Sequence, residues 1–204
     1  MFTGIVETIG TVTDIKQEVT NVHFTIKTEL ATESYIDQSI AHNGVCLTLV
    51  SIHEDTYVVT AIKETLKLSN LGLLQVGDTI NIERAMTAEK RMDGHFVQGH
   101  VDGTVKCLSV TDANGSWNYR FTLPTDKKNL IVSKGSVTLN GISLTVVEPD
   151  EDSFGVSIIP YTYEHTTMHS VIAGSSINIE YDIIAKHIVK NIELYMDVYL
   201  SKLK

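Results

Sequence analysis

The sequence of 204 residues predicts an all-β protein made of two tandem units and closed by one α-helix. Three observations carry this. The chain repeats itself: residues 43–83 moved forward by 97 positions fall without a gap on residues 140–180, with 15 of 41 pairs identical. Unrelated segments of that length would share only about two or three, so one supersecondary module is used twice. Within each copy, short β-rich runs are broken by turn residues every eight to twelve positions, the pattern of a small antiparallel barrel or sandwich. After Asp182 the pattern changes to a helical one.

In the first copy the runs at residues 4–13, 21–27, 45–54, 56–62 and 79–84 read as strands, and in the second those at 99–110, 116–123, 142–148, 155–159 and 176–181. Asn43-Gly44 and Asn140-Gly141 are tight-turn pairs, because both residue types accept positive φ cheaply. Gly77-Asp78 and Gly174-Ser175 mark the turn before the last strand of each copy. Residues 64–74 and 161–171 mix polar with apolar side chains, and each is expected to form a short helix plugging a barrel end. At the C-terminus Val189, Ile192, Met196, Tyr199 and Leu203 recur at spacings of three and four with no Gly or Pro between them, a helix with an apolar seam. Self-association through that seam is favoured over packing on its own barrel, since so short a helix gains little alone.

Composition narrows the function. With 43% hydrophobic and 20% charged residues the chain is an ordinary globular one, and it has no apolar run near the ~20 residues that span a bilayer. A net charge of −9 without a Lys/Arg stripe argues against nucleic acid as a partner. The start Met1-Phe2-Thr3-Gly4 lacks a secretory signal, and the two cysteines stand at non-matching repeat positions, so a reducing, cytoplasmic setting is expected. Ser201-Lys202-Leu203 is a peroxisomal tripeptide displaced by one residue from the end, where it is not read.

The copies differ where chemistry would sit. Cys46 faces Ser143, Ile5 faces His100, Lys63 faces Pro160 and Ala85 faces Asp182. Two copies that only had to fold had no need of such differences, so one half is expected to bind while the other also reacts.

Five segments in order, Met1 to Glu7, Ala41 to Thr48 (Ala-His-Asn-Gly-Val-Cys-Leu-Thr), Lys63 to Leu66, Gly94 to Val101 (Gly-His-Phe-Val-Gln-Gly-His-Val) and Asn140 to Val146, closely resemble the riboflavin synthase family. With the repeat they cover essentially the whole chain. The resemblance implies two tandem six-stranded antiparallel Greek-key barrels, at residues 1–97 and 98–184, and a trimerising C-terminal helix at 185–204. It implies a homotrimer in which one chain's first barrel meets a neighbour's second, without cofactor or metal. The implied reaction is dismutation of two 6,7-dimethyl-8-ribityllumazine molecules, by four-carbon transfer, to riboflavin and a ribitylamino-pyrimidinedione. Docking on a lumazine synthase shell stays open.

Carried over residue by residue, the resemblance makes His100, Cys46, Ser143 and Thr145 the catalytic set. A lone strand histidine is more often structural, but an imidazole titrates near neutrality and suits removal of a methyl proton. Cys46 and Ser143 share one slot; by themselves each is an apolar filler or its plain substitute, and the choice between nucleophile and hydrogen-bond donor stays open. The substrate-binding set is Gly4, Ile5, Val6, Ser39, Thr48, Thr60, Ala61, Ile62, Thr65, Gly99, Val101, Lys134, Leu144, Ile159, Thr162, Glu164 and Asp182. Thr48 and Thr145 lie two positions beyond Cys46 and Ser143, on the same strand face, where a hydroxyl can bond ring heteroatoms or hold His100. Asp182 also suits a helix N-cap. His165 and His169 have a helical metal spacing but no acidic or thiol companion, and metal binding is not expected there. A non-catalytic lumazine- or flavin-binding antenna is the alternative; a flavin-dependent reductase barrel lacks the Gly-rich nicotinamide-binding segment.

Overall fold

The computed structural model describes residues 1–202; Leu203, the last member of the expected seam, and Lys204 lie outside the described residues. Twelve strands form two closed antiparallel barrels. The first holds β1 (Thr8–Glu18), β2 (Asn21–Lys27), β3 (Ser39–His42), β4 (Val45–His53), β5 (Thr56–Ala61) and β6 (Thr79–Arg84), paired in the order β1-β2-β5-β4-β3-β6. The second holds β7 (Gly103–Asp112), β8 (Trp117–Thr122), β9 (Ser136–Leu139), β10 (Ile142–Val147), β11 (Ser153–Ile158) and β12 (Ser176–Tyr181), with the same cyclic order shifted by six. Closure leaves no free sheet edge. Each barrel fills with its own apolar cluster, Val12, Ile26, Leu49, Tyr57 and Ile82 in the first and Val105, Phe121, Leu139, Phe154 and Ile179 in the second.

The all-β reading and its two-barrel architecture hold, with two differences. β3 and β9 were not expected: each has four residues with the last three buried, so neither length nor alternation marks them. The first strand of each copy begins later than the β-rich run, at Thr8 and Gly103, because Gly4 and Gly99 have φ of +78° and +79° and turn the chain out of extended geometry. The two plugs form as expected, each a single helical turn, α1 (Lys63–Leu68) and α2 (Pro160–His165), followed by a 3-10 turn.

The barrels join at the two Asn-Gly turns. Asn43 and Asn140 have φ of 45° and their glycines 81°, as a hairpin turn with two positive φ values requires. The turns meet backbone to backbone, so that a Cβ on Gly44 would stand 2.7 Å from Gly141 N. Four buried asparagines seal the contact: Asn81 Nδ2 donates to Asn140 O and Asn178 Nδ2 to Asn43 O, both at 2.9 Å, while Asn43 and Asn140 Oδ1 accept from the amides of Asn81 and Asn178. Buried amides paired in this way orient one surface on another more specifically than apolar contact does.

α3 (Ile183–Ser201) leaves the second barrel with Asp182 as its N-cap and buries none of its residues. Of the seam, Ile192, Met196 and Tyr199 are about half exposed, while Val189 is partly buried beside the second barrel. No described helix is long and apolar enough to cross a membrane.

Candidate active site

In β4 the side chains alternate. Val45, Leu47 and Leu49 are buried in the barrel, so Cys46 and Thr48 face outward, beside Ala41 and Ser39 of β3 in register. β10 repeats this with Ser143 and Thr145 beside Thr138 and Ser136. Onto each outer face comes a segment from the other half of the chain. Cys46 N donates to Gly99 O at 2.8 Å, and Ser143 N donates to Gly4 O at 2.7 Å. The close approach needs glycine: a Cβ on Gly99 would lie 2.6 Å from Cys46 Cβ, and one on Gly4 2.6 Å from Ser143 Cβ. The neighbouring apolar residues cross as well, Val101 packing on the first barrel's core and Val6 on the second's.

Two buried carboxylates hold these crossing segments. Glu83 Oε1 accepts from Thr3 N and Thr3 Oγ1, both at 2.8 Å, and Oε2 accepts from Gly4 N at 3.0 Å. Glu180 Oε1 accepts from Gln98 N at 2.7 Å, and Oε2 accepts from Gly99 N and His100 N at 2.9 Å. Burial pushes both carboxyls above the usual range, against the pull of the amides and of Lys90 or Lys186.

The expected residues thus fall into two groups, one beside each crossed backbone contact, the first and second candidate clefts. At the first, Cys46 meets Gly99, with Ser39 and Thr48 on the same strand face and His100 and Val101 next along the crossing segment; Ile62 and Thr65 lie beside and in α1 of the same barrel. Thr60 is occupied by His23, whose Nδ1 lies 2.9 Å from its hydroxyl, and Ala61 points into the core. At the second, Ser143 meets Gly4, with Thr145 on the same strand face and Ile5 and Val6 next along the crossing segment; Ile159, Thr162 and Glu164 lie in or beside α2. Leu144 packs on the core. Lys134 stands in the turn before β9 with φ of 65°, its amide bonded to Val146 O. Asp182 caps α3 by accepting from Ile184 N at 2.9 Å. His100 is exposed, and among the described residues its bonds are those of its backbone, so neither Thr48 nor Thr145 holds its ring.

One histidine in the second cleft was not singled out from the sequence. His95 Nδ1 lies 2.6 Å from Ser143 Oγ, and Nε2 lies 3.1 Å from Thr138 Oγ1. Burial lowers its pKa and the charge of Asp182 opposes this, so a neutral ring with one donor and one acceptor nitrogen bridges the two hydroxyls. The first cleft has Cys46 and Ala41 in those places. Among the described residues, no group of His, Cys, Asp and Glu could hold a metal ion.

Two stretches, residues 3–85 and 98–182, match the lumazine binding domain. The chain is 41% identical over 189 residues to a riboflavin synthase of Actinobacillus pleuropneumoniae, covering 92% of this chain and 88% of that one. It is 36% identical to that of Schizosaccharomyces pombe, covering 99% of both, and 36% identical to that of Bacillus subtilis, covering 93% and 89%. Among solved structures, LumP complexed with riboflavin superposes with a TM-score of 0.83 over 89% of this chain and 99% of that chain. LumP complexed with 6,7-dimethyl-8-(1'-D-ribityl) lumazine gives 0.81 over the same shares. At 21% and 20% identity those two likenesses speak for the fold.

Proposed function

We propose, on the premise that the chain belongs to the riboflavin synthase family, that it turns two molecules of 6,7-dimethyl-8-ribityllumazine into riboflavin and 5-amino-6-ribitylamino-pyrimidinedione. The observation that carries this reading is the pair of crossed contacts, alike in backbone and different in side chains: Cys46 against the Gly99 segment that leads to His100 at one, Ser143 against Gly4 and bonded to His95 at the other. Dismutation of one substrate asks for that pairing, because the two rings start identical and must leave with different fates.

The chemistry follows from the groups present. The 7-methyl group of an N8-alkylated lumazine is acidic, since its carbanion spreads into the ring, and an imidazole at hydrogen-bond reach takes that proton. The other ring accepts a nucleophile at its electrophilic carbon, which a hydroxyl or thiol in the Cys46/Ser143 slot orients or supplies. Four carbons then pass from one ring to the other. Atoms and electrons balance between the two substrates, so the reaction itself requires no external oxidant or reductant.

The reading includes a homotrimer that brings unlike sites of neighbouring chains together through the exposed apolar face of α3. It keeps residues 1–97 and 98–184 as the two ring-binding domains and 185–204 as the trimerising helix. Two free cysteines suit a cytoplasmic setting. A non-catalytic antenna is the second reading, favoured by the fold likeness to LumP. Incubating the protein with 6,7-dimethyl-8-ribityllumazine separates the two: riboflavin absorbance that grows over many turnovers supports the enzyme, and a stoichiometric ligand that never converts supports the antenna.

A further inference from the structure

We infer that Glu83 and Glu180 are positioning residues acting across the barrels, each rooted in one barrel and setting a wall of the other barrel's cleft. The inference rests on the reading of those clefts as ring-binding sites. Glu180 is the penultimate residue of β12 in the second barrel, yet the three amides it holds, Gln98, Gly99 and His100, belong to the segment whose Gly99 carbonyl binds Cys46 of the first barrel. Glu83 is the penultimate residue of β6 in the first barrel, yet it holds Thr3 and Gly4, and the Gly4 carbonyl binds Ser143 of the second.

Each carboxylate has three donors on two oxygens at 2.7–3.0 Å and only 2% of its residue exposed, an arrangement that only an acceptor on both oxygens satisfies. Lys90 pairs with Glu83 directly, whereas Lys186 acts on Glu180 through its charge alone. Lys90 Nζ lies 3.9 Å from Glu83 and 2.8 Å from Glu7, and Lys186 Nζ lies 2.6 Å from Asp102, whose Oδ2 also accepts from Tyr181 N, the residue after Glu180. The segment between β6 and β7 supplies the first cation and α3 the second. A carboxylate needed only for its own barrel's fold would have no reason to bind the crossing segment through consecutive amides at the very residue that touches the partner's cleft. The consequence is wiring that runs opposite to chain order.

Glu180→Gln and Glu83→Gln test this, because each keeps the side-chain shape and turns one acceptor into a donor that faces an N–H. The readout is alkylation of Cys46 by iodoacetamide, followed by mass spectrometry with and without 6,7-dimethyl-8-ribityllumazine; Cys107 is buried and serves as internal control. We expect bound lumazine to slow Cys46 labelling in the wild-type protein. Glu180→Gln should lose about tenfold of that protection, the order expected for a charge-assisted hydrogen bond. Glu83→Gln should keep the protection while losing turnover. Equal protection in Glu180→Gln and wild type, or equal loss in the two variants, overturns the inference. If Glu180→Gln does not fold, Glu180→Asp retracts the carboxylate by one methylene while keeping its charge, and Thr3→Val removes one of the three bonds to Glu83. The same crossed pattern is expected of that pair, and an uncrossed one refutes it. Absence of both ligand protection and riboflavin formation in the wild-type protein would instead refute the ring-binding reading itself.

Discussion

A buried His42–Tyr57 pair makes the core of the first barrel sensitive to acid in a way the core of the second is not. His42 is buried in β3, its Nδ1 3.0 Å from Ile40 O and its Nε2 2.7 Å from Tyr57 Oη. A carbonyl only accepts, so the proton sits on Nδ1, and Nε2 accepts from the phenol. Burial depresses the His42 pKa to about 4 and raises that of Tyr57. With an unfolded value of about 6.5 the unfolded chain takes up the proton first, so the stability from neutral His42 is present above that pH and lost as pH falls toward 4. Between pH 7.5 and 5 the loss comes to about 2 kcal/mol. The second barrel supplies the control, since Leu139 and Phe154 occupy the equivalent positions and are buried. His42→Leu alone strands the phenol and should cost about 1–3 kcal/mol at pH 7.5. His42→Leu with Tyr57→Phe should recover most of this and show an acid loss about 2 kcal/mol smaller than wild type. Urea unfolding at the two pH values and one protein concentration measures both quantities. A double variant as acid-sensitive as the wild-type chain would refute the reasoning.

Three further outcomes are expected. Replacing His100 by Gln should lower kcat by about 10²-fold or more while weakening lumazine binding much less, as steady-state rates and fluorescence titration will show; equal losses would remove it from proton transfer. Asn178→Ala breaks the bonds to Asn43 O and from Asn70 N across the barrel contact and should cost about 1–3 kcal/mol for each buried partner left unpaired, read by thermal unfolding. Ile192→Glu with Met196→Glu places charge on the exposed face of α3 and should dissociate the assembly in sedimentation, with turnover falling together with it.

Much of this architecture was legible because duplication reports on itself. Pairs such as Leu47 with Leu144 and Ile82 with Ile179 mark core positions twice, and the tight turns and the α1 and α2 plugs followed from residue type. The four-residue strands β3 and β9 were not legible, since Ile40, Ala41 and His42 are all buried and carry no alternation. Asn43 and Asn140 read correctly as turn formers, yet their larger role at the barrel contact depends on Asn81 and Asn178, which a sequence shows only as identities in a strand. Glu83 and Glu180 carried a signal that was visible and not used: an acid repeated at the end of an apolar strand has few reasons to be there except to be paired. His95 lies between the aligned copies, where comparing them is silent, and its partner Thr138 sits on an unrecognised strand. Residues that act in pairs across the fold are the ones that a reading along the chain misses.

The central claim is that each chain offers two ring-binding clefts, one per barrel. Calorimetric titration with a ribityllumazine analogue lacking the 7-methyl group, which binds without donating the proton that starts the reaction, counts them directly. Two equivalents per chain are predicted, falling to one when Gly99→Ala drives the crossing segment off Cys46 and dismantles the first site. A single equivalent in the wild-type protein, or none, would contradict the account.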